Sequence, residues 1–405
     1  MKRTPKLNYY TMKSKYNLAS SSWNEEEYQA IMNISASGKF TMGPYVERFE
    51  NVFAKKFNNR YAVMVNSGSS ANLLMIAALF YTSDQRLQLQ KGDEVIVPAV
   101  SWSTTYFPLQ QYGLKVKFVD IDKETLNFDF RALEEAVSER TRAILSVNLL
   151  GNSNDFNAIQ KLIEDKEIIH ILDNCESMGS RFEDRYTGEY VLMSTYSTFF
   201  SHHISTMEGG VILTDSEELY HILLSLRAHG WTRNLPKSNL VTGEKSDNTF
   251  NESFKFVLPG YNVRPLEMSG AIGIAQLNKL GNIISERRKN AKYFMDCFSG
   301  LEGVLVQREL GESSWFGFSI VLDHKYSSDD RDRLVKLLEE NNIECRPIVA
   351  GNFVKNDVIK YFDYEVHGDL RNANLVDENG LFVGNQHYSI KEEIDSLFKI
   401  IRDFV

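Results

Sequence analysis

Four short stretches of the chain hold residue types that could do chemistry together. In Asn66-Ser67-Gly68-Ser69-Ser70-Ala71-Asn72, a glycine and several hydroxyls run straight into the apolar LLMIAALF. A helix opening there offers free N–H groups, the positive end of its dipole and the hydroxyls of Ser69 and Ser70 to a phosphate. The same serines would serve equally well as plain helix caps. Trp102, in PAVSWSTTY, brings a flat ring that could stack on a planar heterocycle or simply fill core. Asp173 closes the apolar run EIIHIL, and a carboxylate buried there needs a cationic or hydrogen-bonding partner. A protonated pyridine nitrogen would be one such partner, and a helix cap or a surface position is the plain alternative. The fourth stretch, FFSHHISTMEGG (199–210), carries His202 and His203 side by side. Imidazole takes and gives protons close to neutral pH, which suits general acid–base work. Adjacent residues of an extended segment face opposite ways, so the pair is badly placed to chelate a metal, and His203 reads as structural or as a hydrogen-bond partner. The Glu208-Gly209-Gly210 ending also reads as a turn into the next strand.

Positioning these residues requires a sheet. Short β-branched runs, YAVMVNSG (61–68), DEVIVPA (93–99), VKFVDID (116–122), RAILSVNLL (142–150), EIIHILDN (167–174) and GGVILTD (209–215), alternate with helical patterns. Such alternation predicts an α/β fold, a mostly parallel central sheet flanked by helices, and ligands of such sheets gather beyond the carboxyl ends of the strands. Phosphate-type serines, tryptophan and aspartate all follow strands in this reading. At Asp215-Ser216-Glu217-Glu218, where a capping residue is followed by acidic side chains, a helix opens and is expected to run to about His229, where Gly230 stops it. Another is expected from Met268 to Leu280. The expected organisation is a flexible N-terminal end over 1–20, a large α/β domain over 21–280 and a smaller α+β C-terminal domain over 281–405. The last would contain strands near 315–322 and 343–348 around the amphipathic RDRLVKLLEENN.

A formal net charge of −9 gives no basic face, which disfavours nucleic acid as a partner. Cys175, Cys297 and Cys345 are too scattered for a disulfide framework or for clustered metal ligands, so no metal site is expected and a reducing cytoplasm fits best. The basic start lacks the apolar core of a signal peptide, no later run is long enough to span a bilayer, and no fixed-period repeat occurs.

Taken in order, the segments NLASSSWNEEEYQAI, FTMGPYVERFE, YAVMVNSGSSANLLMIAALF, VPAVSWSTTYFPLQQYGLKVKFVDID, SHHISTMEGG, GYNVRPLEMSGAIG, RPIVAGNF and GLFVGNQHY span nearly the whole chain from about Tyr16. This series closely resembles the DegT-type sugar aminotransferases, a fold-type I family dependent on pyridoxal 5'-phosphate. The resemblance implies that Gly68, Ser69, Ser70 and Ser197 hold the cofactor phosphate. Trp102 would stack on the pyridine ring, and Asp173, supported by Glu176, would pair with its nitrogen. Asn262, in GYNVRP, would reach the phosphate from the other subunit, making a homodimer with shared active sites. His229 would approach the partner's site. Arg346, in ECRPIVAGNF, would bind the carboxylate of glutamate or a diphosphate, or else form a salt bridge.

At His202 the family's aminotransferases carry the lysine that condenses with the cofactor aldehyde. Imidazole cannot form that bond, so the cofactor, as pyridoxal or pyridoxamine 5'-phosphate, would rest non-covalently. His202 would then act as the proton carrier in removing the C3 hydroxyl of a nucleotide-linked 4-keto-6-deoxyhexose, and L-glutamate would restore the cofactor amine with release of ammonia. Resemblance alone favours GDP-4-keto-6-deoxy-D-mannose as the substrate and dideoxysugars of the colitose type as the pathway. Three alternatives stand beside this. An iron–sulfur-assisted dehydrase of CDP-4-keto-6-deoxyglucose also carries histidine here, but its cluster needs several cysteines brought together, which the three scattered ones disfavour. An ordinary sugar aminotransferase is disfavoured by the missing lysine. A non-catalytic binding protein on the same fold is the third.

Overall fold

The computed structural model describes residues 15–405. Most of the expected N-terminal end, residues 1–14, therefore lies outside the described residues. Seven strands, β1 (Tyr61–Val65), β2 (Glu94–Pro98), β3 (Lys115–Val119), β4 (Thr141–Val147), β5 (Ile169–Asp173), β6 (Met193–Ser197) and β7 (Gly210–Thr214), build most of an eight-stranded sheet. Three more, β8 (Val304–Val306), β9 (Gly317–Leu322) and β10 (Cys345–Arg346), precede β11 (Tyr364–Val366), which returns to pair with β3 and completes that sheet. Its order is β1-β7-β6-β5-β4-β2-β3-β11, and only β7 runs against its neighbours.

Period-two alternation explains how the sheet is covered. Val95 and Val97 of β2 face one core with Ala143 and Leu145 of β4, while Ile96 and Ile144 face another. The first face is covered by α3 (Gly68–Leu79), α4 (Ser103–Gln111) and α7 (Glu217–Leu226), the second by α5 (Phe130–Ala136) and α6 (Phe156–Ile163). Two earlier helices, α1 (Glu25–Ser37) and α2 (Pro44–Lys56), pack on α9 (Glu267–Phe298), which follows the single-turn α8 (Thr249–Glu252). The last part of the chain adds α10 (Ser328–Glu340), α11 (Arg371–Asn379), β12 (Gly380–Gly384) and α12 (Lys391–Phe404). A four-stranded antiparallel sheet, β8-β9-β12-β10, packs there against Phe294 and Phe298 of α9, Leu334 and Leu338 of α10 and Ile394 and Leu397 of α12.

Three features depart from the sequence reading. Strand β6, with the polar sequence MSTYS, is wholly buried between β5 and β7, where a run with so little apolar character gives no strand signal. Helix α7 ends at Leu226 rather than near His229, because Ala228 pairs with Asn262 and His229 takes a left-handed conformation (φ 62°). The 32-residue α9 runs straight through the expected boundary at 280/281, so one rigid element is shared by the large and small sheets. Among the described residues, no helix is long and apolar enough to cross a membrane.

Candidate active site

The carboxyl end of β5 places Asp173, only 5% exposed, beneath the first turns of α3 and α4. Its Oδ2 accepts from Asn72 Nδ2 (2.7 Å) and from Thr105 Oγ1 (2.7 Å), and its Oδ1 accepts from the Cys175 N–H (3.1 Å). Behind these, Thr195 Oγ1 of β6 donates to Asn72 Oδ1 (2.5 Å), and Ser101 and Thr105 share a 2.8 Å hydroxyl contact.

Above this network lies the start of α3. Ser67 caps it by accepting from the Ser70 N–H (3.1 Å), and the Ser70 hydroxyl donates to Asn66 Oδ1 (2.6 Å). Ser69, exposed, donates to Thr104 Oγ1 (3.0 Å) and so ties the two helix starts together. Gly68 permits the close approach: a Cβ there would lie 2.8 Å from Ser197 Cβ and 3.2 Å from Cys175 Sγ. Trp102 stands at the N-cap position of α4 and is 54% exposed, unlike a core tryptophan. The structure thus brings Gly68, Ser69, Ser70, Ser197, Trp102 and Asp173 to one place.

His202 sits in the loop between β6 and β7, where its N–H donates to the Phe199 carbonyl (2.9 Å). Its half-buried ring lies 5.1 Å from that of Phe316. Burial, then the charges of Arg346 and Arg287, push its pKa down to about 3, which keeps the imidazole neutral at ordinary pH. Its Nδ1 is buried without a partner. His203 is fully buried, and its Nε2 lies 3.0 Å from the Ser314 carbonyl, a structural placement. Glu176 accepts from the Leu150 N–H (3.2 Å) and lies 3.9 Å from the Arg346 guanidinium. Burial pushes its carboxyl up to about 7 even though Arg346 opposes the shift. Two sequence readings are refined by this. The direct support of Asp173 comes from Asn72 and Thr105, since Glu176 is bonded toward Leu150 and Arg346. Arg346 makes the interdomain ion pair left open above, and its guanidinium lies 4.6 Å from the ring centre of Phe382.

Asn262 and His229 sit apart from this cluster. Asn262 is exposed and accepts from Arg264 Nε (3.0 Å), while His229 Nε2 is 3.5 Å from Arg264 Nη2. Among the described residues neither bonds to Ser69, Ser70 or Asp173, although the Val263 carbonyl beside Asn262 accepts the Asn66 N–H (2.9 Å).

Residues 21–402 match the model of the DegT/DnrJ/EryC1/StrS aminotransferase family. The chain belongs to that family. The GDP-4-keto-6-deoxy-D-mannose 3-dehydratase of Escherichia coli O55:H7 is 62% identical over 388 residues, 96% of this chain and 99% of that one. The E. coli dehydratase with bound hydrated PLP superposes with a TM-score of 0.93 at 61% identity, covering 96% of this chain and 99% of that chain. The dehydratase with a trapped PLP-glutamate geminal diamine also gives a TM-score of 0.93 at 61% identity, over 95% of this chain and 99% of that chain. The fold is thus that of fold-type I pyridoxal-phosphate enzymes.

As a DegT/DnrJ/EryC1/StrS family member, the chain offers a donor set that fits pyridoxal phosphate on three counts. Asp173 is buried with neutral hydrogen-bond partners only, Gly68 lets the start of α3 lie against Ser197 where a Cβ would clash, and the unpartnered His202 Nδ1 can accept a new bond. Sequence reasoning missed Asn66, Asn72, Thr104, Thr105 and Thr195. One signal was available: Asn72 is a lone amide entering the apolar LLMIAALF, where asparagine is a weak helix former.

Proposed function

We propose that this protein is a PLP/PMP-dependent dehydratase that removes the C3 hydroxyl of GDP-4-keto-6-deoxy-D-mannose. L-Glutamate is the amino donor, and the products are the 4-keto-3,6-dideoxy sugar, 2-oxoglutarate and ammonia. The observation that carries the reading is a histidine at position 202, its Nδ1 buried without a partner, in place of an amine that could tether the cofactor. Close similarity to dehydratases of that name supports the choice of substrate.

When bound, the cofactor supplies an amine for the C4 ketone and a conjugated ring that accepts an electron pair. The chain's own residues do the rest. The N-terminus of α3, with Ser69, Ser70 and Ser197, binds the phosphate through N–H and hydroxyl donors, and Trp102 covers one face of the ring. Asp173 holds a proton at the ring nitrogen. His202, neutral at working pH, accepts a proton from carbon and returns it to the departing C3 oxygen, so one group serves as base and then acid. Atoms balance without added water: the oxygen lost by the sugar equals the oxygen gained when glutamate becomes 2-oxoglutarate and ammonia.

The active unit in this proposal is a homodimer in which Asn262 and His229 serve the partner's site. Support comes from the exposure of Asn262 and from a neighbouring run of exposed apolar side chains, Phe250, Phe254, Phe256 and Leu266, suited to burial against a second copy. The test is incubation with GDP-4-keto-6-deoxymannose, pyridoxamine phosphate and glutamate. Ammonia and 2-oxoglutarate should appear together with a sugar lighter by one oxygen. A stable 4-amino sugar as the main product would instead establish an aminotransferase.

A further inference from the structure

The hydrogen bonds around Asp173 are asymmetric. A carboxylate oxygen has two good acceptor positions. On Oδ2 both are filled, by Asn72 Nδ2 and Thr105 Oγ1 at 2.7 Å each, whereas on Oδ1 the N–H or O–H donor is the Cys175 N–H at 3.1 Å, with the weakly donating Cys175 thiol also bonded to the carboxylate. Oδ1 therefore keeps an acceptor position that a stronger donor than a thiol can take. The donors cannot exchange roles. Were the Asn72 amide turned over, its oxygen would face a carboxylate oxygen at 2.7 Å, and the Thr195 hydroxyl, 2.5 Å from Asn72 Oδ1, would lose its acceptor. Asn72, Thr105 and Thr195 are each at most 2% exposed, so water does not substitute for any of them. Three neutral donors stabilise the charge without neutralising it, and a buried anion so arranged still attracts a cation.

We propose that Asn72 and Thr105 are positioning residues for the reaction, which saturate Oδ2 of Asp173 and thereby aim Oδ1, as an anion, at the protonated ring nitrogen of the cofactor. This rests on the functional reading above. Without either donor the carboxylate gains freedom to rotate away from the ring nitrogen. Loss of a fixed anion at that atom favours a neutral pyridine over the pyridinium on which electron withdrawal depends.

The test uses the full-length protein loaded with pyridoxal 5'-phosphate labelled with 15N in the ring, whose nitrogen chemical shift reports protonation directly. Thr105→Val removes one hydroxyl at nearly constant volume, Asn72→Leu removes the amide, and Thr105→Ser restores the donor. In Thr105→Val and Asn72→Leu the ring nitrogen is expected to lose its proton at a pH lower by about one unit or more, while Thr105→Ser follows the wild type. Should Asn72→Leu fail to fold, the two Thr105 variants decide. A folded Thr105→Val protein that no longer retains the cofactor also supports the proposal, provided that Thr105→Ser retains it. A ring nitrogen protonated over the wild-type pH range in Thr105→Val overturns it. Failure of the wild-type protein to bind the cofactor would strike the functional reading instead, which separates the two.

Discussion

Around Asp173 the buried polar atoms of Asn72, Thr105 and Thr195 are all hydrogen-bonded, whereas around His202 several buried nitrogens are not. The Nδ1 atoms of His202 and His203 and the Nε atoms of Arg287 and Arg346 have no partner among the described residues. A fully satisfied network is rigid and fixes the direction of a charge before any ligand arrives. An unpartnered, desolvated nitrogen does the opposite, staying free to bond to something that comes and goes. In the proposed function, the difference separates a group that holds its proton relationship constant from one that changes it within each turnover.

The sharpest way to break that contrast is His202→Asn, which keeps a polar side chain but cannot carry a proton. Deoxygenation should fall by about 10²- to 10⁴-fold, the usual worth of a general acid–base, while bound cofactor absorbance persists. An unchanged rate would remove His202 from proton transfer. Gly68→Ala attacks the rigid side instead. Its Cβ would sit 2.8 Å from Ser197 Cβ, so either Ser197 moves or α3 does, at a cost of about 1–3 kcal/mol. Titration with pyridoxal phosphate should show correspondingly weaker binding, and unaltered affinity would mean that the phosphate lies elsewhere. Smaller still is the expectation for Asn262→Ala. In the proposed dimer, loss of one hydrogen bond from Asn262 to the partner's cofactor site should weaken cofactor binding by about tenfold or less. No change in affinity would argue against a phosphate contact from Asn262.

Strand ends and single conspicuous side chains were legible in the sequence because they depend on local pattern. Asp173 follows IIHIL, and the serines of 67–70 precede an apolar helix, so both sites can be placed from a few neighbouring residues. What supports Asp173 was not legible, since Asn72 and Thr105 lie 101 and 68 positions away and nothing local marks them as its partners. Strand β6 was hidden by composition: its serines and threonine are buried in hydrogen-bonded positions where a period-two apolar signal is missing. The run of α9 past residue 280 has no local marker beyond Gly281, a poor helix former in the interior of the helix. Its Cβ position is open space, and the helix simply continues.

The smallest expected effect compares the two regions through pH. Glu176 has its carboxyl raised from 4.5 to about 7, first by burial, whereas His202 has its imidazole lowered from 6.5 to about 3, also first by burial. A raised carboxyl contributes stability below pH 4.5 that is lost as pH climbs through 7. A depressed imidazole contributes stability above pH 6.5 that is lost as pH falls toward 3. The two slopes oppose one another between pH 4.5 and 6.5, so the wild-type protein should change little there. Variants separate them. Relative to Glu176→Gln, the cofactor-free wild type should lose on the order of 1 kcal/mol between pH 4.5 and 8, a figure kept small because solvent and Arg346 both moderate the charge. Relative to His202→Asn, it should lose a similar order of stability as pH falls from 6.5 toward 3. Thermal unfolding across pH reads both. If Glu176→Gln ran parallel to the wild type at every pH, Arg346 would be offsetting the burial of Glu176 so that it titrates alike folded and unfolded, and only the imidazole side of the site would couple protons to stability.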